Sequence, residues 1–148
     1  YKTVDKSRLT HYESNFWNPA YEDCISDVKS RMYPQPYEVV DYLENVNQKP
    51  FVMCEYMHDM GNSLGGMDSY MDLLDKYPSF AGGYIWDFID QAIYRPDPVT
   101  GEEVLCYGGD FDDKPSDYEF AGNGILFADR TEKPAIQEVR YYFEKYSE

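Results

Sequence analysis

Pro50-Phe51-Val52-Met53-Cys54-Glu55-Tyr56-Met57-His58-Asp59-Met60-Gly61-Asn62-Ser63 is the stretch whose reading decides the fold. Phe51 to Cys54 offer water no polar side chain on either face, the texture of a strand covered on both sides as in a parallel sheet. The run stops at a carboxylate, Glu55, and then passes a histidine into a Gly61-Asn62-Ser63 turn. Burial disfavours an ionised carboxyl unless opposite charge or hydrogen bonds hold it. A glutamate at the end of such a strand is therefore either well paired or placed there for chemistry.

Working outward, Pro36 suits the first turn of a helix. Val39, Tyr42, Leu43 and Val46 follow at i, i+3, i+4 and i+7, which gives that helix one apolar face. Asn47 and Pro50 end it. Downstream, Asn62 or Ser63 is expected to cap a second helix carrying Met67, Tyr70, Met71 and Leu74, stopped at Tyr77-Pro78. Gly82 to Asp90 then reads as another strand that reaches Trp86 and a carboxylate at its end. A preceding strand is expected over Cys24-Ile25-Ser26-Asp27-Val28-Lys29-Ser30, with the Pro34-Gln35-Pro36 break leaving Tyr33 just past its end. Strand, helix, strand, helix, strand is the order of parallel βα units, an α/β fold.

Outside this core the texture is looser. Leu9 to Glu13 is a short β-prone run and Ser14 to Asp23 an irregular loop. From Arg95 onward, Pro96-Asp97-Pro98, Thr100-Gly101 and Gly108-Gly109-Asp110 are turn chemistries, predicting short strands and irregular backbone. The apolar run Gly124 to Ala128 ends at Asp129-Arg130. A closing helix opens near Pro134, with Ile136, Val139, Phe143 and Tyr146 at helical intervals. The domain is thus expected to comprise βα units over residues 1–94 and a loop-rich end with a C-terminal helix over 95–148.

Thirteen basic against 28 acidic residues give a formal charge of −15, which would repel phosphate backbones and anionic lipid. Nucleic acid and membranes are poor partners for such a chain, and it holds no run of eighteen apolar residues. Cys24, Cys54 and Cys106 are widely spaced and odd in number, so they read as reduced, mostly buried thiols in a reducing, cytoplasmic compartment. Beginning at Tyr1 without a leader, the sequence is expected to be a piece of a longer protein.

Several chemistries can be set aside. Glu55 and His58 have the Glu-x-x-His spacing of di-iron helical bundles, but on a strand and in a single copy. Asp110, Asp112, Asp113 and Asp117 suggest calcium, yet Pro115 stands where an EF-hand loop needs glycine. A nucleophilic serine lacks its Gly-x-Ser-x-Gly elbow. Strict strand alternation sends Cys54 to the face opposite Glu55. What remains is a carboxylate with aromatic residues at neighbouring strand ends: Glu55, Tyr33 and Trp86. Glycoside hydrolysis uses carboxylates across the scissile bond.

The quoted stretch, extended to Lys49, resembles the nucleophile motif of the large bacterial β-galactosidases, glycoside hydrolase family 2. The likeness continues through Gly82-Gly83-Tyr84-Ile85-Trp86-Asp87-Phe88-Ile89-Asp90-Gln91, Tyr107-Gly108-Gly109-Asp110-Phe111 and Asn123 to Thr131. It implies that the chain covers about strands 5 to 8, the second half, of a (β/α)8 TIM barrel, since a whole barrel needs about 250 residues. By resemblance, Glu55 is the nucleophile and Tyr33 the tyrosine that assists it. His58, Trp86 and Asn123 match sugar-contacting positions. Phe120, through its carbonyl, and Asn123, through its side chain, match positions beside a sodium ion. Magnesium ligands lie mainly upstream. The family's acid/base glutamate follows an asparagine, and no Asn-Glu pair occurs here. The resemblance therefore implies a homo-oligomeric parent enzyme acting on β-galactosides such as lactose, with the rest of its polypeptide completing the site. This chain alone would be inactive. A β-glucuronidase or β-mannosidase of the same reaction class, or a non-catalytic sugar-binding or scaffold module, are the alternative readings.

Overall fold

A parallel pairing of the strand before Tyr33 with the strand that ends at Glu55 organises the computed structural model of the chain, which describes residues 1–13, 17–46 and 48–147. The elements run α1 (Glu22–Ile25), β1 (Lys29–Met32), α2 (Pro36–Asn45), β2 (Phe51–Tyr56), α3 (Asp68–Lys76), β3 (Phe80–Ile85), β4 (Ile93–Pro96), β5 (Glu103–Cys106) and α4 (Ile136–Lys145). One sheet has the order β1-β2-β3 and the other is the β4-β5 hairpin. The chain divides into two compact units. The first comprises Tyr1–Tyr56 with Gly66–Tyr84 and the second Met57–Gly65 with Ile85–Glu148.

In the first unit the core forms where the helices cover the sheet. Val39 and Leu43 of α2, Phe51, Met53 and Tyr56 of β2, Tyr70, Met71 and Leu73 of α3 and Phe80 of β3 are all buried. Their rings interlock: Tyr42 lies 5.1 Å from Phe51, Phe51 6.5 Å from Phe80, and Tyr56 meets Tyr70 edge-on at 5.7 Å. The edge-on pair suits the ring quadrupoles, and the other two are tilted. β2 and β3 approach closely, since a Cβ at Gly83 would stand 2.8 Å from that of Met53. Pro36 opens α2 as expected. Glu38 Oε2 accepts the Gln35 amide at 2.7 Å, and Arg31 Nη1 bonds Glu38 Oε1 at 2.6 Å, tying β1 to the first turn of α2.

The first strand lies further along the chain than its apolar residues suggest. Cys24-Ile25 belongs to the short helix α1, and β1 is Lys29–Met32. A polar strand is tolerated because Ser30, 1% exposed, has its hydroxyl against His11 Nε2 at 2.5 Å. Leu9 to Glu13 forms no strand. Thr10 instead donates its amide and hydroxyl to Asp27 Oδ2, at 2.6 and 2.9 Å, and accepts the Asp27 amide. Lys2 and Thr10 hold the Asp27 carboxyl down to about 2. Of the expected loop over Ser14 to Asp23, Ser14, Asn15 and Phe16 lie outside the described residues, as does Asn47, the expected end of α2. Pro19–Tyr21 is a single 3-10 turn leading into α1.

α3 begins later than Asn62 or Ser63 would set it. Its N-cap is Met67, whose buried side chain anchors the helix where no polar cap is present. The cysteines are free, but Cys24, in the short helix α1, is exposed, and Cys54 and Cys106 are half-buried.

The second unit holds the hairpin strands β4 and β5 and the helix α4. β4 and β5 pair antiparallel, joined by a turn in which Asp97 Oδ1 accepts the amides of Val99 and Thr100. The apolar run after Asn123 contributes only isolated bridges, Leu126 to Ile89 and to Glu132. α4 buries Val139 and leaves Tyr141 and Phe143 largely exposed. Among the described residues no helix is long and apolar enough to cross a membrane.

Candidate active site

Glu55 sits where strand β2 ends, and its setting is created by an irregularity in the ladder. Lys29 pairs with Phe51, Ser30 with Val52 and Arg31 with Met53, but Met32 pairs with Glu55, leaving Cys54 as an extra residue. Such a bulge re-aims side chains and ends pairing, a frequent device beside active sites. Its effect is visible in the burial along β2. Phe51 and Met53 alternate into the core as a strand should, and then Tyr56, not Glu55, takes the next core position against Tyr70. Glu55 is released from the core face and remains half-buried. The strict alternation that separates Cys54 from Glu55 fails at this point. Burial, with the charges of Glu13 and Glu55, pushes the Cys54 thiol up to about 11, which disfavours the thiolate.

Tyr33 follows β1 directly and donates its amide to the carbonyl of Glu55 at 2.8 Å. Its backbone is left-handed, with φ of 46°, a conformation that a bulky residue adopts only where its surroundings enforce it. The enforcement is identifiable. Pro34 comes next, fully buried, and its carbonyl accepts the hydroxyl of Tyr70 from α3 at 2.8 Å. Tyr33 as a residue is exposed, at 39%.

The other candidates lie in the second unit and are linked through backbone. Asp59, next to His58, donates its amide to the carbonyl of Trp86 at 3.1 Å, and Asp87 donates its own to the carbonyl of Asn123 at 2.7 Å. Trp86 immediately follows β3, is half-buried, and enters a cis peptide bond with Asp87. The His58 ring stacks at a tilt on Phe120, 5.2 Å between centroids. Asn123 is 2% exposed, and its side-chain oxygen has no hydrogen-bond partner among the described residues. A buried amide oxygen without a donor is costly. It is the donor type a hard cation or a sugar hydroxyl would satisfy, so Asn123 fits the sodium role that the resemblance assigns to it. Among the described residues no three His, Cys, Asp or Glu side chains gather as a metal site.

One cluster in this unit was not legible from sequence. Lys133 is buried and its ammonium bonds Asp90 Oδ1 at 2.8 Å and the Gly122 carbonyl at 3.3 Å. Asp59 is 1% exposed, and burial pushes its carboxyl above the ordinary range, opposed by the Lys133 charge and the Leu64 amide. Asp90 reads in the sequence as a strand-end acid, but β3 stops at Ile85 and Asp90 lies in the irregular backbone beyond it. Lys133, in a Lys-Pro pair before a helix, gave no sign of burial.

The parallel βα arrangement places a carboxylate, Glu55, and a tyrosine, Tyr33, at adjacent strand ends, the positions from which TIM-barrel sites are built. The chain belongs to the glycosyl hydrolases family 2, TIM barrel domain, whose sequence model matches residues 1–147. It forms part of that barrel and not a closed one, with a three-stranded sheet in place of eight strands. It is 64% identical over 143 residues to a β-galactosidase large subunit of Leuconostoc lactis, covering 97% of this chain and 23% of that protein. Against a β-galactosidase of Halalkalibacterium halodurans the identity is 53% over 144 residues, covering 97% of this chain and 14% of the relative. The chain thus spans less than a quarter of the length of these relatives. A Bacteroides uniformis β-glucuronidase structure is similar in fold, with a TM-score of 0.54 at 18% identity, over 95% of this chain and 18% of that one.

Proposed function

We propose that this chain is the nucleophile-bearing part of the catalytic barrel of a retaining β-galactosidase that hydrolyses terminal β-D-galactosides such as lactose. The observation that carries the reading is the placement of Glu55. A bulge frees it from the core at the end of a parallel strand, beside Tyr33 on the neighbouring strand end. The identity to relatives named β-galactosidase supports the choice of sugar.

In this reading the Glu55 carboxylate attacks the anomeric carbon. A covalent glycosyl-enzyme forms as the glycosidic C–O bond breaks, and water then releases the sugar with its configuration retained. Tyr33 donates its phenolic hydrogen to the carboxylate and steadies its charge between the two steps. His58 binds a sugar hydroxyl, and Trp86 offers a flat apolar surface to the ring. The Phe120 carbonyl and the Asn123 side-chain oxygen would hold a sodium ion, which would supply positive charge beside the sugar. The remaining polypeptide supplies the magnesium ligands and the glutamate that protonates the leaving alcohol and later deprotonates water. The word "subunit" in the name of the Leuconostoc lactis relative fits an oligomeric parent.

The test is to assay the full-length protein on aryl β-galactoside, β-glucuronide and β-mannoside. Galactoside is the expected substrate, with activity lost in Glu55→Gln. The 148-residue chain alone is expected to show no turnover. Preference for another glycoside, or activity that survives Glu55→Gln, would overturn the reading.

A further inference from the structure

The segment that presents Asn123 is fixed from both sides by one buried ion pair. Lys133 Nζ bonds the Gly122 carbonyl at 3.3 Å and Asp90 Oδ1 at 2.8 Å, and that same oxygen accepts the Gly124 amide at 2.8 Å. The carbonyl before Asn123 and the amide after it therefore both end on Lys133 and Asp90. The two bonds that complete the segment go to Asp87, which donates to the Asn123 carbonyl at 2.7 Å and accepts the Ile125 amide at 2.9 Å. Little freedom remains around Gly124, where an added Cβ would lie 2.2 Å from the Asp90 amide nitrogen.

The ion pair is an expensive way to hold a loop. Side-chain exposures of 8% and 14% mean that both charges have lost most of their hydration. An apolar pair of similar volume is often as stable or more so, which leaves fixing geometry as a role for the charges. The second buried acid points the same way. Asp59 lies in the field of Lys133, with an oxygen that has no hydrogen-bond partner among the described residues, and its amide holds the Trp86 carbonyl. The lysine thus bonds the segment carrying Asn123 and lies within the electrostatic reach of the Asp59 carboxyl beside His58.

We propose that Lys133, clamped to Asp90, is a positioning residue for galactoside binding, holding the Gly122 to Gly124 backbone so that the Asn123 side-chain oxygen is set for its ligand. This rests on the reading of the parent as a β-galactosidase. Lys133 itself touches neither sugar nor reacting atoms. Its loss therefore acts on binding through Asn123, not on the Glu55 chemistry.

The experiment uses the full-length protein with Lys133→Met, Lys133→Arg and Asp90→Asn, each normalised to titrated active sites. Lys133→Met and Asp90→Asn are expected to raise both KM for an aryl β-galactoside and the inhibition constant of free galactose about tenfold, ~1.4 kcal/mol of binding. The kcat should stay within about threefold, since only transition-state-specific contacts move kcat and KM apart in the other sense. Lys133→Arg retains the charge and should recover most of the affinity. A residue that merely supports the fold would lower the melting temperature and the active fraction while leaving KM and the galactose constant of the surviving sites unchanged, and that result overturns the proposal. If Lys133→Met does not fold, Asp90→Asn and Lys133→Arg decide by the same two constants. A wild-type protein without β-galactosidase activity would instead defeat the functional reading itself, a distinguishable outcome.

Discussion

The amide of Tyr33 donates to the carbonyl of Glu55 at 2.8 Å, across two parallel strands whose register slips by one residue just before they meet. Backbone, not side chain, makes this tether, so the phenol can be removed without loosening it. Tyr33→Phe in the full-length protein is expected to lower kcat about a hundredfold, the scale of a lost proton-donating group, while leaving the melting temperature near that of wild type. Steady-state kinetics beside a thermal melt would check it. An unchanged kcat would remove Tyr33 from the chemistry.

Gly124 occupies a space that admits no side chain, because a Cβ would come within 2.5 Å of three backbone atoms of Ile89 and Asp90. Backbone cannot step aside as a flexible side chain can. Gly124→Ala should destabilise the full-length protein by about 3 kcal/mol, the upper range for overpacking, or prevent its folding. Denaturant unfolding measures this. Gly101→Ala, where nothing lies within 4 Å but φ is +75°, should cost only the smaller backbone penalty of about 1 kcal/mol.

Asp59 makes stability depend on pH in a defined direction. Its folded-state carboxyl is raised by burial, whereas the unfolded chain releases that proton near the ordinary value of about 3.9. Below that value both states are protonated and the residue costs nothing. As pH rises through the window between the unfolded and folded values, the unfolded state ionises first and stability is lost. Asp59→Asn should therefore match wild type below about pH 4 and melt at higher temperature above the window. Melting curves of the two proteins across pH 3 to 8, without ligand, give the comparison. A difference that shrinks as pH rises would contradict it.

Most of what forms the βα core could be read from residues. The spacing of Val39, Tyr42 and Leu43 foretold α2, and the run Phe51 to Cys54 foretold β2, because burial on a helix face or inside a sheet leaves a periodic trace. β1 was misplaced because its burial depends on a distant partner, His11 against Ser30, while the apolar pair Cys24-Ile25 belongs to a helix. The late start of α3 follows from Met67, which anchors by burial and not by a polar cap. At the site, the strand-end positions of Glu55 and Tyr33 were legible, but the bulge was not. An extra residue in one strand changes no residue type, and only the partner strand reveals it. The Lys133, Asp90 and Asp59 cluster was hidden for a related reason, since a lysine's burial is decided by charges 43 residues away in sequence, as for Asp90.

The central claim is that Glu55 forms a covalent bond to the sugar. A 2-deoxy-2-fluoro-β-galactoside with an activated leaving group slows hydrolysis of a glycosyl-enzyme enough for the intermediate to be trapped. The decisive measurement is the mass of the full-length protein after this treatment, followed by mapping of the labelled peptide. The account predicts one fluorogalactosyl adduct per chain, carried by Glu55 and absent from Glu55→Gln. An adduct on any other residue, or galactose released with inverted configuration by an enzyme that forms no adduct, would contradict it.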